Sequence, residues 1–157
     1  MEDVIALQRA AVAEHIRGEN AGDWPAVYET FVQDPEARWD FVPAETMFKG
    51  PEGIARFYRA FVAAVPDLQV EVLSEYDVRG CSIREVLITG THRGEYAGIE
   101  PTGQKVRCRL ACFFLFGSNP RRIVMERGYF DHDTIFRQMR GEAAASQGSE
   151  NRSAGRT

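Results

Sequence analysis

The stretch RRIVMERGYFDHDTIFRQM, residues 121–139, holds the densest set of groups that could do chemistry. It reads as a strand that closes at Asp131 and hands over to a short helix from Thr134. Side chains alternate along a strand, so Ile123, Met125, Arg127 and Tyr129 share a face with Asp131. An acid at the end of such a row is either a helix cap or a carboxylate held in a pocket. In an apolar pocket, burial raises a carboxyl pKa toward neutrality, and such a group can both take and give a proton. Arg127 on the same face would pull the other way. Asp133 directly precedes the helix and suits the cap, which leaves Asp131 as the candidate catalytic acid/base and Tyr129 as a neighbour for substrate.

Other candidates lie elsewhere. His92 would orient substrate or share the proton, or else be a strand histidine bonded to a neighbour. His15 and Gln8 fall inside the apolar stripe of a helix, where a polar side chain needs a partner or a wet cavity. Tyr58 sits on an inward helix stripe and its hydroxyl wants a partner when buried. Trp39 and Arg109 complete the candidate substrate contacts. Asp131-His132-Asp133 resembles a metal cluster on paper, but adjacent strand residues point opposite ways, so no metal is expected. No Ser-His-Asp order, phosphate loop or Walker pattern is present, and no cofactor is expected.

The elements that must position these groups follow from periodicity. Residues 3–18 form a helix with Asp3 as N-cap and Val4, Ile5, Leu7, Ala11, Val12 and Ile16 on one face. Asn20 and Asp23 read as turn and cap residues before a second helix, Trp24 to Phe31. A strand covers 37–42, an edge strand 45–48, and a third helix starts at Gly50-Pro51 with Ile54, Phe57, Tyr58 and Phe61 inward. From Leu68 the pattern alternates through three long strands, the strongest placing Val106, Cys108, Leu110, Cys112, Phe114 and Phe116 together. After Arg140 the text is small, polar and aperiodic, which predicts one domain over 1–140 and a disordered tail over 141–157. Helices first and antiparallel strands after predict an α+β cone: a curved mixed or antiparallel sheet, three N-terminal helices on its concave face, and a short C-terminal helix. A concave interior is where ligands go.

Composition narrows the classes. With 157 residues, 44% hydrophobic and 27% charged, the chain is an ordinary globular domain. A net charge of −4 without a basic stripe argues against nucleic acid. No apolar run approaches the ~20 residues of a membrane span. The N-terminal MEDVIALQRA is acidic and unlike a secretory leader. Cys108 and Cys112 would sit about 13 Å apart on a strand at ~3.3 Å per residue, too far for a disulfide, so buried thiols in a reducing cytoplasm are expected.

The segments NAGD (20–23), FKGPEGIARFY (48–58), VPDLQVEV (65–72), GTHRGEYAGIEPTGQKV (90–106) and RIVMERGYFDHDTIFRQM (122–139) resemble the SnoaL-like polyketide cyclases. These are also called ester cyclases and belong to the nuclear-transport-factor-2-like superfamily. The resemblance implies the α+β cone, a homodimer through the outer sheet face, and no metal or cofactor. It implies a carboxylate acid/base at Asp131 and, for the characterised cyclases of secondary metabolism, ring closure by intramolecular aldol condensation. Those cyclases carry a histidine on the penultimate strand; here residues 105–116 have none, and Arg109 and the thiols stand in its place. The expected function is cyclisation or isomerisation of a hydrophobic polyketide-like or terpenoid-like substrate. Two alternatives are epoxide hydrolysis, with Asp40 and Asp131 as the acids, and a non-catalytic binding or assembly module.

Overall fold

The computed structural model describes residues 3–142. Of the tail expected after Arg140, residues 143–157 lie outside the described residues. The order is α1 (Val4–Ala21), α2 (Trp24–Glu29), β1 (Arg38–Phe41), β2 (Thr46–Lys49), α3 (Gly50–Ala64), β3 (Gln69–Val78), β4 (Cys81–Thr91), β5 (Lys105–Phe116), β6 (Ile123–Phe130) and α4 (His132–Met139). A 3-10 turn, Val42–Ala44, joins β1 to β2.

The strands make one six-stranded sheet in the order β2-β1-β6-β5-β4-β3. Every neighbouring pair is antiparallel except β1 beside β6, which is parallel, so the sheet is mixed. Register shifts at Val72/Ser74 and Leu115/Phe116 interrupt two of the ladders, and such bulges bend a sheet locally. The result is the α+β architecture expected: a curved open sheet with the helices gathered over one face. On β5 the even-numbered residues Val106, Cys108, Cys112 and Phe114 are buried, as the alternation predicts. All three cysteines are free thiols.

Helix α1 runs three residues beyond the expected end, to Ala21, and stops at Gly22, which takes the left-handed conformation with φ 65°. Asn20 therefore lies inside the helix, not in a turn. Its amide faces the edge strand: Oδ1 accepts from Val70 N at 2.7 Å and Nδ2 donates to Val70 O at 2.9 Å. The side chain thus imitates a strand neighbour for β3, which has no strand partner on that side among the described residues, and ties the C-terminal half of α1 across the sheet. Asp23 caps α2 as expected, accepting from Ala26 N. Asp67 ties the α3–β3 turn to the end of β4 by accepting from Thr91 N and Thr91 Oγ1, both at 2.7 Å. These ties set α1 and α3 over the concave face at fixed positions.

Candidate active site

A cavity opens between the helices and the sheet, and its wall is almost wholly apolar. Trp39 and Phe41 of β1, Phe57 and Phe61 of α3, Phe114 of β5 and Phe130 of β6 supply the aromatic lining. The empty space, open mouth included, is about 640 Å³ and suits a hydrophobic molecule of modest size. Trp39 stacks on Phe57 with ring centroids 3.9 Å apart. Its indole also lies against Gly128, where an added Cβ would stand 3.0 Å from Cη2. A glycine in mid-strand marks such a close approach.

Polar groups gather at one end of this cavity. Residues 12, 15, 16 and 19 of α1 recur at helical spacing, so His15 and Glu19 share the inward stripe with Val12 and Ile16. Tyr58 comes from α3, Trp39 from β1 and Glu126 from the middle of β6. Glu19, Tyr58, Trp39 and Glu126 line the cavity, while His15 lies fully buried behind them.

The hydrogens in this cluster can be assigned from their partners. Thr30 Oγ1 donates to Val27 O at 2.6 Å, so toward His15 Nδ1, 2.9 Å away, it can only accept. Tyr58 O–H donates to Glu126 Oε2 at 2.7 Å, so its oxygen accepts from His15 Nε2 at 3.0 Å and from Trp39 Nε1 at 3.4 Å. Both ring nitrogens of His15 are therefore N–H donors, and the ring is an imidazolium. Its counter-ion is Glu126, with Oε2 3.3 Å from Nε2. Burial alone would strip His15 of its charge, but Glu126 and Glu19 outweigh it and push its pKa up to about 10. Tyr58 stays a neutral phenol, since burial and the Glu126 charge raise its pKa further. The same two causes raise Cys112, and burial lifts Cys108 to about 11, so neither is a thiolate nucleophile. Nitrogen and carboxylate atoms of His15, Glu19 and Glu126 lie within 4.8 Å of one another, a spacing a cation could use. In the arrangement seen, both ring nitrogens carry protons, and a cation would have to displace the one on Nε2 to use this spacing.

Of the candidates expected from the sequence, His15, Tyr58 and Trp39 come together. The rest do not. Asp131 is the N-cap of α4, accepting from Thr134 N and Thr134 Oγ1 at 3.2 and 2.6 Å, with its side chain 63% exposed. Those bonds hold its pKa below the usual carboxylate range, the reverse of an acid tuned toward neutrality. The helix begins two residues earlier than expected, so Asp133 falls in its first turn, beside Arg137 at 3.1 Å. Tyr129 is 46% exposed on the outer face, packed on Phe113. Arg109 is also outside, beside Leu73 and Glu85. Asp40 pairs with Arg127 at 2.6 Å, away from the cavity, which removes the Asp40–Asp131 pair considered for epoxide hydrolysis. His92 is buried and is not part of the cavity lining. Its Nδ1 faces the hydroxyl of Thr102, which donates to Met139 O and so fastens the β4–β5 loop to the end of α4.

The corrections for Asp131 and Tyr129 share one cause. On β6 the inward face carries Glu126, Gly128 and Phe130, not Met125, Arg127 and Tyr129. A charged residue and a glycine looked like the wet side, and methionine and tyrosine like the dry one. Glu126 and Glu19 were missed. For Glu19 a signal existed: it follows His15 by four residues on the same stripe.

The family model of the SnoaL-like polyketide cyclases matches residues 7–139. The chain belongs to that family. A comparison with curated protein sequences finds no match. Among solved structures, the chain is similar to AclR from Streptomyces galilaeus, at TM-score 0.76 and 20% identity over 91% of this chain and 87% of that one. It is also similar to a protein from Jannaschia sp. CCS1 assigned to the SnoaL-like polyketide cyclases, at TM-score 0.79 and 18% identity over 88% and 95%. IdmH from Streptomyces antibioticus aligns at TM-score 0.69 and 20% identity over 83% and 96%. At such identities these likenesses concern the fold.

Two outcomes follow for the site. Asp131→Ala lowers stability, as loss of a helix cap does, seen as a lower urea midpoint, and leaves affinity for a cavity ligand unchanged. The pKa of His15 is raised on folding, so its contribution to stability is fully present below about pH 6.5. It is lost as pH rises through about 10. In NMR titrations of the ring, Glu126→Gln moves the His15 midpoint down; an unmoved midpoint would contradict the ion pair.

Proposed function

We propose that the chain is a cofactor-independent acid/base enzyme that cyclises, by intramolecular aldol condensation, or isomerises a hydrophobic carbonyl compound of polyketide-like or terpenoid-like kind. One observation carries this reading: two carboxyl groups, Glu126 and Glu19, on the wall of a cavity that is aromatic and aliphatic apart from them and the Cys112 thiol. Aldol closure and double-bond migration begin alike, with loss of a proton from carbon beside a carbonyl. Glu126 is the base for that step. Its Oε2 is held by Tyr58 and His15, so the carboxylate is fixed in orientation before substrate arrives. Excluding water from the cavity strengthens each electrostatic contact within it. The aromatic wall, Trp39 on Phe57 above all, would hold a flat substrate by stacking.

The outer sheet face supports a second part of the reading, a homodimer. Tyr76, Ile83 and Phe113 lie in register across β3, β4 and β5, and Leu73, Tyr76, Val78 and Tyr129 are exposed. Such an apolar row suits a self-complementary interface. Light scattering on the wild type returns twice the chain mass, and Phe113→Arg returns one; a monomeric wild type removes the dimer.

Catalysis is tested with a bicyclic aryl ketone, α-tetralone, in deuterium oxide, following its α-protons by NMR. Wild type exchanges them faster than buffer, and Glu126→Gln loses about 10²-fold or more of that rate. Binding of the ketone without accelerated exchange would instead favour a non-catalytic module.

A further inference from the structure

The polar end of the cavity contains two carboxyl groups and a single cation. Glu19, Glu126 and His15 lie within 4.8 Å of one another. The other groups facing them are Thr30 just past α2, Tyr58 from α3, the indole of Trp39 from β1 and the thiol of Cys112 from β5, all uncharged. The two acids are not equally served. Glu126 receives the Tyr58 hydroxyl at 2.7 Å and has the imidazolium at 3.3 Å. Glu19 is no nearer to the imidazolium than 3.7 Å. One cation can neutralise one anion. A second carboxylate in apolar surroundings, beside the first, would be a buried charge with too few donors, and such a group takes up a proton instead.

Resting on the acid/base reading above, we propose that Glu19 is a carboxylic acid at neutral pH and is the proton donor to the carbonyl oxygen of the substrate, with Glu126 as its partner base. Burial raises the pKa of Glu19 and outweighs the pull of His15 and Tyr58, with a smaller push from the Glu126 charge. The Glu19 side chain, 11% exposed, borders the cavity where a substrate would lie. One acid with the Tyr58 hydroxyl and the imidazolium beside it, next to a second with neither at such range, makes room for such a division of labour.

The steps balance. Glu126 takes the proton from carbon as Glu19 gives its own to the carbonyl oxygen, leaving a neutral enol, Glu126 protonated and Glu19 ionised. The enol carbon then bonds to a second carbonyl carbon of the same molecule. The enol proton returns to Glu19, and Glu126 delivers its proton to the new alkoxide, which becomes the aldol hydroxyl. In isomerisation the proton on Glu126 goes instead to a different carbon. With one cation, one anion and one neutral acid, the site carries no net charge. It therefore selects a neutral ketone over a free carboxylate, whose charge would have no partner there.

Infrared spectroscopy of the whole protein tests the proton's location without turnover. Near neutral pH the wild type shows the carbonyl stretch of a buried protonated carboxyl; Glu19→Asp moves that band and Glu126→Asp leaves it in place. No band in the wild type, or a band that moves with Glu126→Asp instead, overturns the assignment. Exchange of α-tetralone tests the donor role: Glu19→Gln lowers the rate about 10²-fold while the ketone Kd and the melting temperature stay near wild type. An unchanged rate overturns that role, and so does a loss confined to Kd or melting temperature. Because the infrared signal needs no substrate, it can fail while Glu126-dependent exchange persists, so the two readings fail separately.

Discussion

The structure depends on keeping a doubly protonated histidine in the core. His15 is fully buried, and an uncompensated charge there would cost several kcal/mol even after relaxation. It persists because acceptors reach it from separate elements. Thr30, just past α2, takes one N–H; Tyr58 from α3 and Glu126 from β6 share the other. None of these elements can shift without stranding the charge. The Asn20 clasp on Val70 serves the same end, since it keeps α1 from sliding along the open edge of β3.

That constraint also shapes the chemistry. An imidazolium with both protons committed is neither a base nor a nucleophile; it is a fixed positive charge behind two carboxyls. It holds Glu126 as an anion in a place where water could not. The aromatic cavity in front then supplies the low dielectric in which a fixed charge and a fixed hydrogen bond act most strongly on a bound carbonyl. Gly128 and Trp39 are part of this arrangement, because a Cβ at 128 would stand 3.0 Å from the indole and crowd it where it closes the wall beside Glu126.

Much of the fold was legible. The strict alternation of residues 105–116 named the buried face of β5 correctly, and the helical stripes of α1 and α3 named His15 and Tyr58 as inward polar residues. The candidate site was legible only from the helices. There, face follows from many residues at once, so a single polar one stands out against the stripe. Strand β6 has eight residues, four to a face, and two misleading ones reversed the assignment. Asp131 looked buried because its neighbours on that face looked buried. Its true role depended on a helix starting at His132 and not at Thr134, a two-residue difference that local propensity does not resolve.

The sequence by itself determined the family, the order of elements and the apolar stripes, because these rest on periodicity along the chain. Only the tertiary structure decided which face of β6 meets the helices, and so that Glu126 and not Asp131 is the acid in the cavity. It also decided where the protons sit. The charge of His15 follows from Thr30, Tyr58 and Glu126, which lie 15, 43 and 111 positions away along the chain. Protonation is set by the partners a group meets in space, and those partners exist together only once the sheet has curved around them.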